Sequence, residues 1–384
     1  MPIVLLFLVG CFPTHVYAEI ATDYYRSPLA HTGYYPRREI SARPQLKAKY
    51  GLVNMGIHTA SKSSPIIDGN LVYVGADSGL FYALEKDTLE PRWEFRVRKT
   101  AKNGIHATAT IYDQDVYIGA YDGWLYRLDK KTGRLIDQFK LGDYIGASSV
   151  IWQNKLFTGV ETKSSNGYVH CLDLANDSAC IRRIYLGGHT HSTPTIDAET
   201  GIIYIGANSD YIHAIDTRLQ KVLWKYKTGG DIKSTAALSG DRIIFSSWDT
   251  FIYALEKSTG ELLWKFKTGA RSMSSPTVNP DLGLVYVGSH DGNMYAIEME
   301  TGKEKWRYKT SKRILSSGVI ASDKDQDRRI LVFGSADKNV YWIDAQTGAL
   351  LHKAETQGRV TSVPAIHEGK VYVSGDDGFL YLFE

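Results

Sequence analysis

The chain has 384 residues and is rich in tyrosine (25) and glycine (35), a composition that suggests many strands and many tight turns. Its 45 basic and 42 acidic residues leave a formal net charge of +3, and no lysine- or arginine-rich run occurs, which argues against a general nucleic-acid binder. That length suits one large domain or two ordinary ones.

At the N-terminus, Ile3 to Phe12 is apolar apart from Gly10 and Cys11, and Val16-Tyr17-Ala18 resembles a small-residue cleavage site before Glu19. Residues 1–18 therefore read as a secretory signal, although no Lys or Arg precedes the apolar run. An alternative uses Leu8-Val9-Gly10-Cys11, which resembles a bacterial lipobox. Cleavage before Cys11 then leaves a lipid anchor on that cysteine, with the signal ending at residue 10. The apolar run is too short to span a bilayer. Either reading makes the chain exported, to the periplasm or the outer membrane. Residues 19–42 read as an N-terminal extension.

From residue 43 to 384 one phrase recurs. Val285-Tyr286-Val287-Gly288 is followed by Gly292 and then Met294-Tyr295-Ala296-Ile297-Glu298. The slot of Gly288 is filled by Gly75, Gly119, Gly159, Gly206, Ser246, Gly334 and Ser374 in the other copies, at intervals of 40 to 47 residues. Each copy holds four short alternating segments; in the sixth they are Ser274–Val278, Leu284–Val287, Asn293–Ile297 and Lys305–Lys309. A four-stranded unit repeated at this period predicts radial blades. The last copy stops after its third strand. Gln45 to Tyr50 resembles Glu261 to Phe266, so residues near 43–50 are expected to complete it and shut the ring. The chain is thus predicted to be all-β, an eight-bladed propeller of four-stranded antiparallel blades, and monomeric.

A carboxylate stands at the end of every third strand, as at Asp129, Asp216, Glu256 and Asp344. Repetition around a ring separates such groups, so they are read as turn caps rather than catalytic acids. Cys171 and Cys180 lie nine residues apart across one of these turns, and a cross-strand disulfide fits them in an oxidising compartment. Small residues crowd the start of each first strand, where the blades meet the axis. The residue just before each small pair marks one mouth of the central channel, and there the sequence offers Lys62, His106, His191 and Lys233. With His58, His189, Arg271, Arg313 and Arg359 nearby, this predicts a basic, His-rich rim able to hold an anionic ligand. Asp231 is the only carboxylate expected near the rim. His189-x-His191 lacks a spaced third ligand, so no metal site is assigned. Tyr121 and Trp248, in loops between second and third strands, are candidate protein-binding anchors.

The fourth strands Leu223-Trp224-Lys225-Tyr226-Lys227-Thr228-Gly229, Leu263-Trp264-Lys265-Phe266-Lys267-Thr268-Gly269 and Lys305-Trp306-Arg307-Tyr308-Lys309-Thr310 resemble the PQQ-type, quinoprotein-like propeller repeat. The resemblance implies that Trp93, Trp224, Trp264 and Trp306 pack between blades. The repeat occurs in quinone-dependent alcohol dehydrogenases and also in envelope proteins that bind protein partners and no cofactor. The dehydrogenases carry a vicinal Cys-Cys pair beside the cofactor, which this sequence lacks, and loops that roof it, which here are short. The expected function is therefore a non-catalytic binding or scaffold propeller of the cell envelope with protein partners, no cofactor and no catalytic residues. The alternatives are a PQQ-binding or PQQ-dependent oxidoreductase with calcium, or an anion-binding sensor using the channel mouth.

Overall fold

A computed structural model describes residues 26, 29–51, 63–98, 104–180 and 183–384. The expected signal segment, Cys11, His58 and Lys62 lie outside them. The described chain is all β-structure, arranged as eight sheets around one axis. Blade one runs Ile66–Asp68, Leu71–Gly75, Leu80–Glu85 and Pro91–Arg96, each strand antiparallel to the next. Blade six, Thr277–Asn279, Leu284–Gly288, Asn293–Glu298 and Glu304–Lys309, falls on the segments expected from sequence, with a shorter first strand. Second and third strands are almost wholly buried, because each blade lies between two neighbours; the fourth strands alternate and face solvent.

The ring is shut as expected. Leu46–Tyr50 pairs antiparallel with Leu380–Phe383, and Gln45 and Glu384 exchange both backbone bonds, 2.8 and 3.0 Å. Three repeated devices hold blade to blade. Each Trp in the fourth-strand slot lies against the turn glycine of the next blade: a Cβ on Gly133, Gly260, Gly302 or Gly348 would stand 2.5 to 2.8 Å from Trp93, Trp224, Trp264 or Trp306. Each indole N–H also reaches a carbonyl there, as Trp264 does to Met299 at 2.9 Å. At the axis, backbone N–H groups donate to the next blade's hydroxyl, from Thr235 to Ser275 at 2.9 Å and from Ser275 to Ser317 at 2.8 Å. Val363 closes onto Ser64 at 3.0 Å. The glycine slot admits a branched side chain from the following blade. A Cβ on Gly206 or Gly288 would come within 2.2 or 2.3 Å of Ile232 or Ile314. Where Ser246 fills the slot, Ser272 stands in place of the isoleucine, so bulk is exchanged across the interface.

The turn carboxylates act as caps: Asp129 accepts N–H of Lys131 and Thr132, and Asp344 does the same for Gln346 and Thr347. Cys171 and Cys180 form the expected disulfide, Cα to Cα 5.3 Å. It clips the blade whose outer edge is formed by two short strands, Ser178–Ala179 and Ile184–Tyr185.

Residues 29–40 are more than an extension. Leu29, Ala30, Thr32 and Gly33 lend their carbonyls to the backbone N–H of Ile196, Leu238, Val278 and Ile320, at 3.2, 3.0, 2.8 and 2.8 Å. These donors sit at equivalent places in the innermost strands of blades four to seven. Tyr34–Ile40 then adds a parallel fifth strand to the inner edge of blade seven, Val319–Asp323, and Ile40 bridges to Gly369 of blade eight. Arg26, 2% exposed, donates to Pro276 O and Thr277 Oγ1 within the channel, at 2.7 and 3.0 Å. The segment thus straps the end of the channel that carries the first-to-second-strand turns. Edge groups that a bare propeller would leave for water are hydrogen-bonded by the chain itself. Among the described residues no helix is long and apolar enough to cross a membrane.

Candidate functional site

The opposite end of the channel is the second mouth. Among the described residues, the blades bring two kinds of position there: the residue before the small pair of strand one, and the residue two after the glycine slot, where strand two turns into strand three. The first position was legible in the sequence. The second supplies Asp77, Tyr121, Glu161, Trp248, His290 and Asp376. Near the axis, groups two blades apart meet. Tyr121 of blade two stands 3.4 Å from His191 Nδ1 of blade four through its hydroxyl, and its ring lies 4.5 Å from that of His106.

One side of the mouth is acidic and histidine-rich. Glu161 ends the long strand Lys155–Glu161, and its side chain is 2% exposed. Its two oxygens face His189 Nδ1 and His191 Nδ1, each at 3.4 Å. Burial drives the Glu161 carboxyl up to about 8, against the opposing pull of Lys233 and of the Thr190 backbone N–H. Burial, reinforced by Lys233, His189 and His106, drives His191 down to about 3. At neutral pH this is largely a neutral acid beside a neutral imidazole. The ring of His189 donates Nε2–H to the Thr162 carbonyl at 3.0 Å, because a carbonyl only accepts, and this turns Nδ1 toward the Glu161 carboxyl. Oε1 of Glu161 is without a hydrogen bond among the described residues. Asp77 and His106, both buried, face each other at 3.3 Å.

The other side is cationic. Lys233 Nζ lies 3.7 Å from the centroid of the Trp248 ring, and the Arg271 guanidinium lies over the same ring at 4.3 Å. Lys233 pairs with Asp231 at 3.4 Å, and burial lowers its pKa. Arg271 Nε–H donates to His290 Nδ1 at 3.2 Å. Burial, then the nearby Arg271 and Arg313, hold His290 down to about 4. Arg359, at the equivalent place two blades on from Arg271, pairs with Asp376 at 2.7 Å.

The expected rim is thereby redrawn. His106, His191 and Lys233 do converge on the mouth. Tyr121 and Trp248, expected as separate protein anchors, are part of it. Lys62 lies outside the described residues. The expectation that Asp231 is the only carboxylate near the rim is corrected: Asp77, Glu161 and Asp376 reach it too, because second strands end on the same side as first strands begin. The mouth is therefore divided by charge rather than uniformly basic.

A quinone cofactor with calcium would need a cage of six to eight oxygens for the ion. The mouth offers Oε1 of Glu161 and the Asn208 amide oxygen, both without hydrogen bonds, yet no group of three His, Cys, Asp or Glu among the described residues converges to hold a metal. The residues on hand therefore make a poor calcium cage, and no chemistry is routed through one.

Against solved structures the chain resembles a europium-containing methanol dehydrogenase, with a TM-score of 0.79 at 14% identity over 94% of this chain and 97% of that one. It also resembles BamB from Moraxella catarrhalis, with a TM-score of 0.69 at 18% identity over 89% and 99%. Identities this low establish the fold alone. Among curated proteins it is 24% identical over 189 residues to the outer membrane protein assembly factor BamB of Moranella endobia, 47% of each chain. It is 30% identical over 161 residues to that of Pseudomonas aeruginosa, 40% of each. The chain thus aligns with less than half the length of either relative. A family model matches residues 47–155, 149–319 and 309–384, nearly the whole propeller. The chain belongs to the family described as outer membrane protein assembly factor BamB.

Proposed function

We propose that this protein is a non-catalytic binding propeller of the cell envelope, engaging protein partners in outer-membrane assembly. The observation that carries the reading is the family match across all blades, residues 47–384. Two features of the chain support it. The mouth is ringed by short hairpins that leave Tyr121 and Trp248 part-exposed, a form suited to docking rather than to a sealed, dry reaction chamber. The Cys171–Cys180 disulfide suits an oxidising compartment, in keeping with periplasmic or outer-membrane placement, and with Cys11 as the anchor in the lipobox reading. The propeller acts as a monomer in this proposal.

The test is crosslinking of the tagged full chain in intact cells, followed by identification of co-purifying proteins. Recovery of outer-membrane assembly proteins above a tag-only control is expected; recovery of none would overturn the proposal. The second reading, a PQQ-dependent oxidoreductase, rests on the dehydrogenase fold similarity and on the unbonded Glu161 Oε1 and Asn208 Oδ1. A saturable absorbance change on adding PQQ with calcium at micromolar levels would favour it over the first.

A further inference from the structure

We infer that the cationic half of the channel mouth is a receiving site for the free α-carboxylate at the end of a polypeptide chain. The inference rests on the protein-binding reading above and names what that site takes. Arg271, Arg313 and Arg359 occupy equivalent positions in three successive blades, two residues before the rim slots Met273, Leu315 and Thr361. Arg359 is committed to Asp376. Arg271 and Arg313 are not so committed. Arg271 donates its Nε–H to His290 and lies over the Trp248 ring, and neither it nor Arg313 makes an ion pair among the described residues. Both act on His290, in the second-to-third-strand turn of the blade that Arg271 leads into. A guanidinium presents a planar fork that matches a carboxylate bidentately, which a lysine ammonium does not. The neighbouring Trp248 ring gives an apolar face beside the fork.

The carboxylates that face this half are engaged, and Asp291, held ionised by its hydrogen bonds, acts on His290 with the two arginines. Asp231 is paired with Lys233. Asp249 and Asp291 are held by Tyr253 and Tyr295 at 2.6 Å and by turn N–H groups. Glu161, across the mouth, is largely a neutral acid. The form of the site selects a chain end over a threaded strand. Residues 29–40 strap the inner strands at the far end of the channel across blades four to eight, so a threaded strand would meet the strap. A polypeptide that reaches the mouth end-on, C-terminus leading, presents its α-carboxylate to the arginines first.

The experiment is fluorescence anisotropy of an N-terminally labelled Gly-Ser octapeptide with a free C-terminal carboxylate, titrated with the full chain, against the same peptide as its C-terminal amide. Saturable binding of the acid, weaker by about tenfold or more in the amide, is expected. Arg271→Gln and Arg313→Ala should each weaken it several-fold while leaving the thermal midpoint unchanged. Equal binding of acid and amide, or no saturation of the acid at millimolar protein, would overturn the inference. So would Arg271→Gln and Arg313→Ala chains that melt as the parent does and bind the acid as tightly. Succinate as a competitor separates the sources. Displacement of bound peptide supports a shared carboxylate site, whereas binding of succinate, seen calorimetrically, without binding of the peptide overturns the chain-end assignment. None of these readouts uses an envelope partner, so their failure leaves the crosslinking result standing, and the reverse also holds.

Discussion

Glu161 and His191 meet at 3.4 Å in the mouth, and burial keeps both uncharged, the acid up to about 8 and the imidazole down to about 3. The pairing is thus a neutral contact at physiological pH rather than an ion pair, with His189, Lys233 and Tyr121 also facing the acid.

The first prediction follows from the sign of that shift. Between pH 4.5 and about 8 the native Glu161 holds a proton that the unfolded chain has released, so stability falls as pH rises through this window. Glu161→Gln keeps the shape and stays neutral. The parent should lose about 2–4 kcal/mol of stability relative to this variant between pH 5 and pH 8.5. Denaturant melts of the two chains at both pH values check it; parallel pH profiles would count against a buried neutral acid.

The second concerns blade packing. Gly288 leaves the space that Ile314 fills, and Ser246 with Ser272 shows the interface accepting the opposite arrangement. Gly288→Ser should cost about 1–3 kcal/mol through overpacking. Adding Ile314→Ser to that chain should recover part of the loss, a coupling readable in a double-mutant cycle.

The third concerns the strap. Gly33 has φ +68° and donates its N–H to Arg26 O at 2.9 Å. Proline can do neither. Gly33→Pro should raise amide exchange at Val278 and Ile320, whose donors bond Thr32 and Gly33, by about tenfold or more, with blade two unchanged. Unaltered exchange at both amides would show that the strap does not protect them.

The fourth concerns the disulfide. Cys171→Ser with Cys180→Ser should cost about 2–3 kcal/mol, the loop-closure value for a bridge of this span. Calorimetry of the double variant against the parent measures it, and tryptic cleavage should concentrate at the outer edge of that blade.

Much of this fold was legible because repetition multiplies weak signals. The glycine slot, the turn carboxylates and the Trp positions recur with one geometric role each, so eight imperfect copies fix the period and the closure by Gln45–Tyr50. The strap was not legible. Tyr34–Ile40 reads Tyr-Tyr-Pro-Arg-Arg-Glu-Ile, with no alternation, and its partner is chosen by an open inner edge that exists only once the ring has formed. The second ring of the mouth escaped for the opposite reason. It recurs in position but holds Asp, Tyr, Glu, Trp and His in different blades, so nothing repeats for the eye to find. Seeing that strand two ends where strand one begins would have found Glu161.

The seam between Leu46–Tyr50 and Leu380–Phe383 joins stretches of chain as far apart as Lys47 and Glu384, 337 positions in sequence. A nascent or translocating polypeptide cannot make that contact until its final strand has emerged. Until then it is an arc with two raw edges, slow to finish because so much chain must be brought together and sticky while it waits. Chaperone demand during biogenesis should therefore track the time taken to deliver the last blade, rather than the stability of the finished ring.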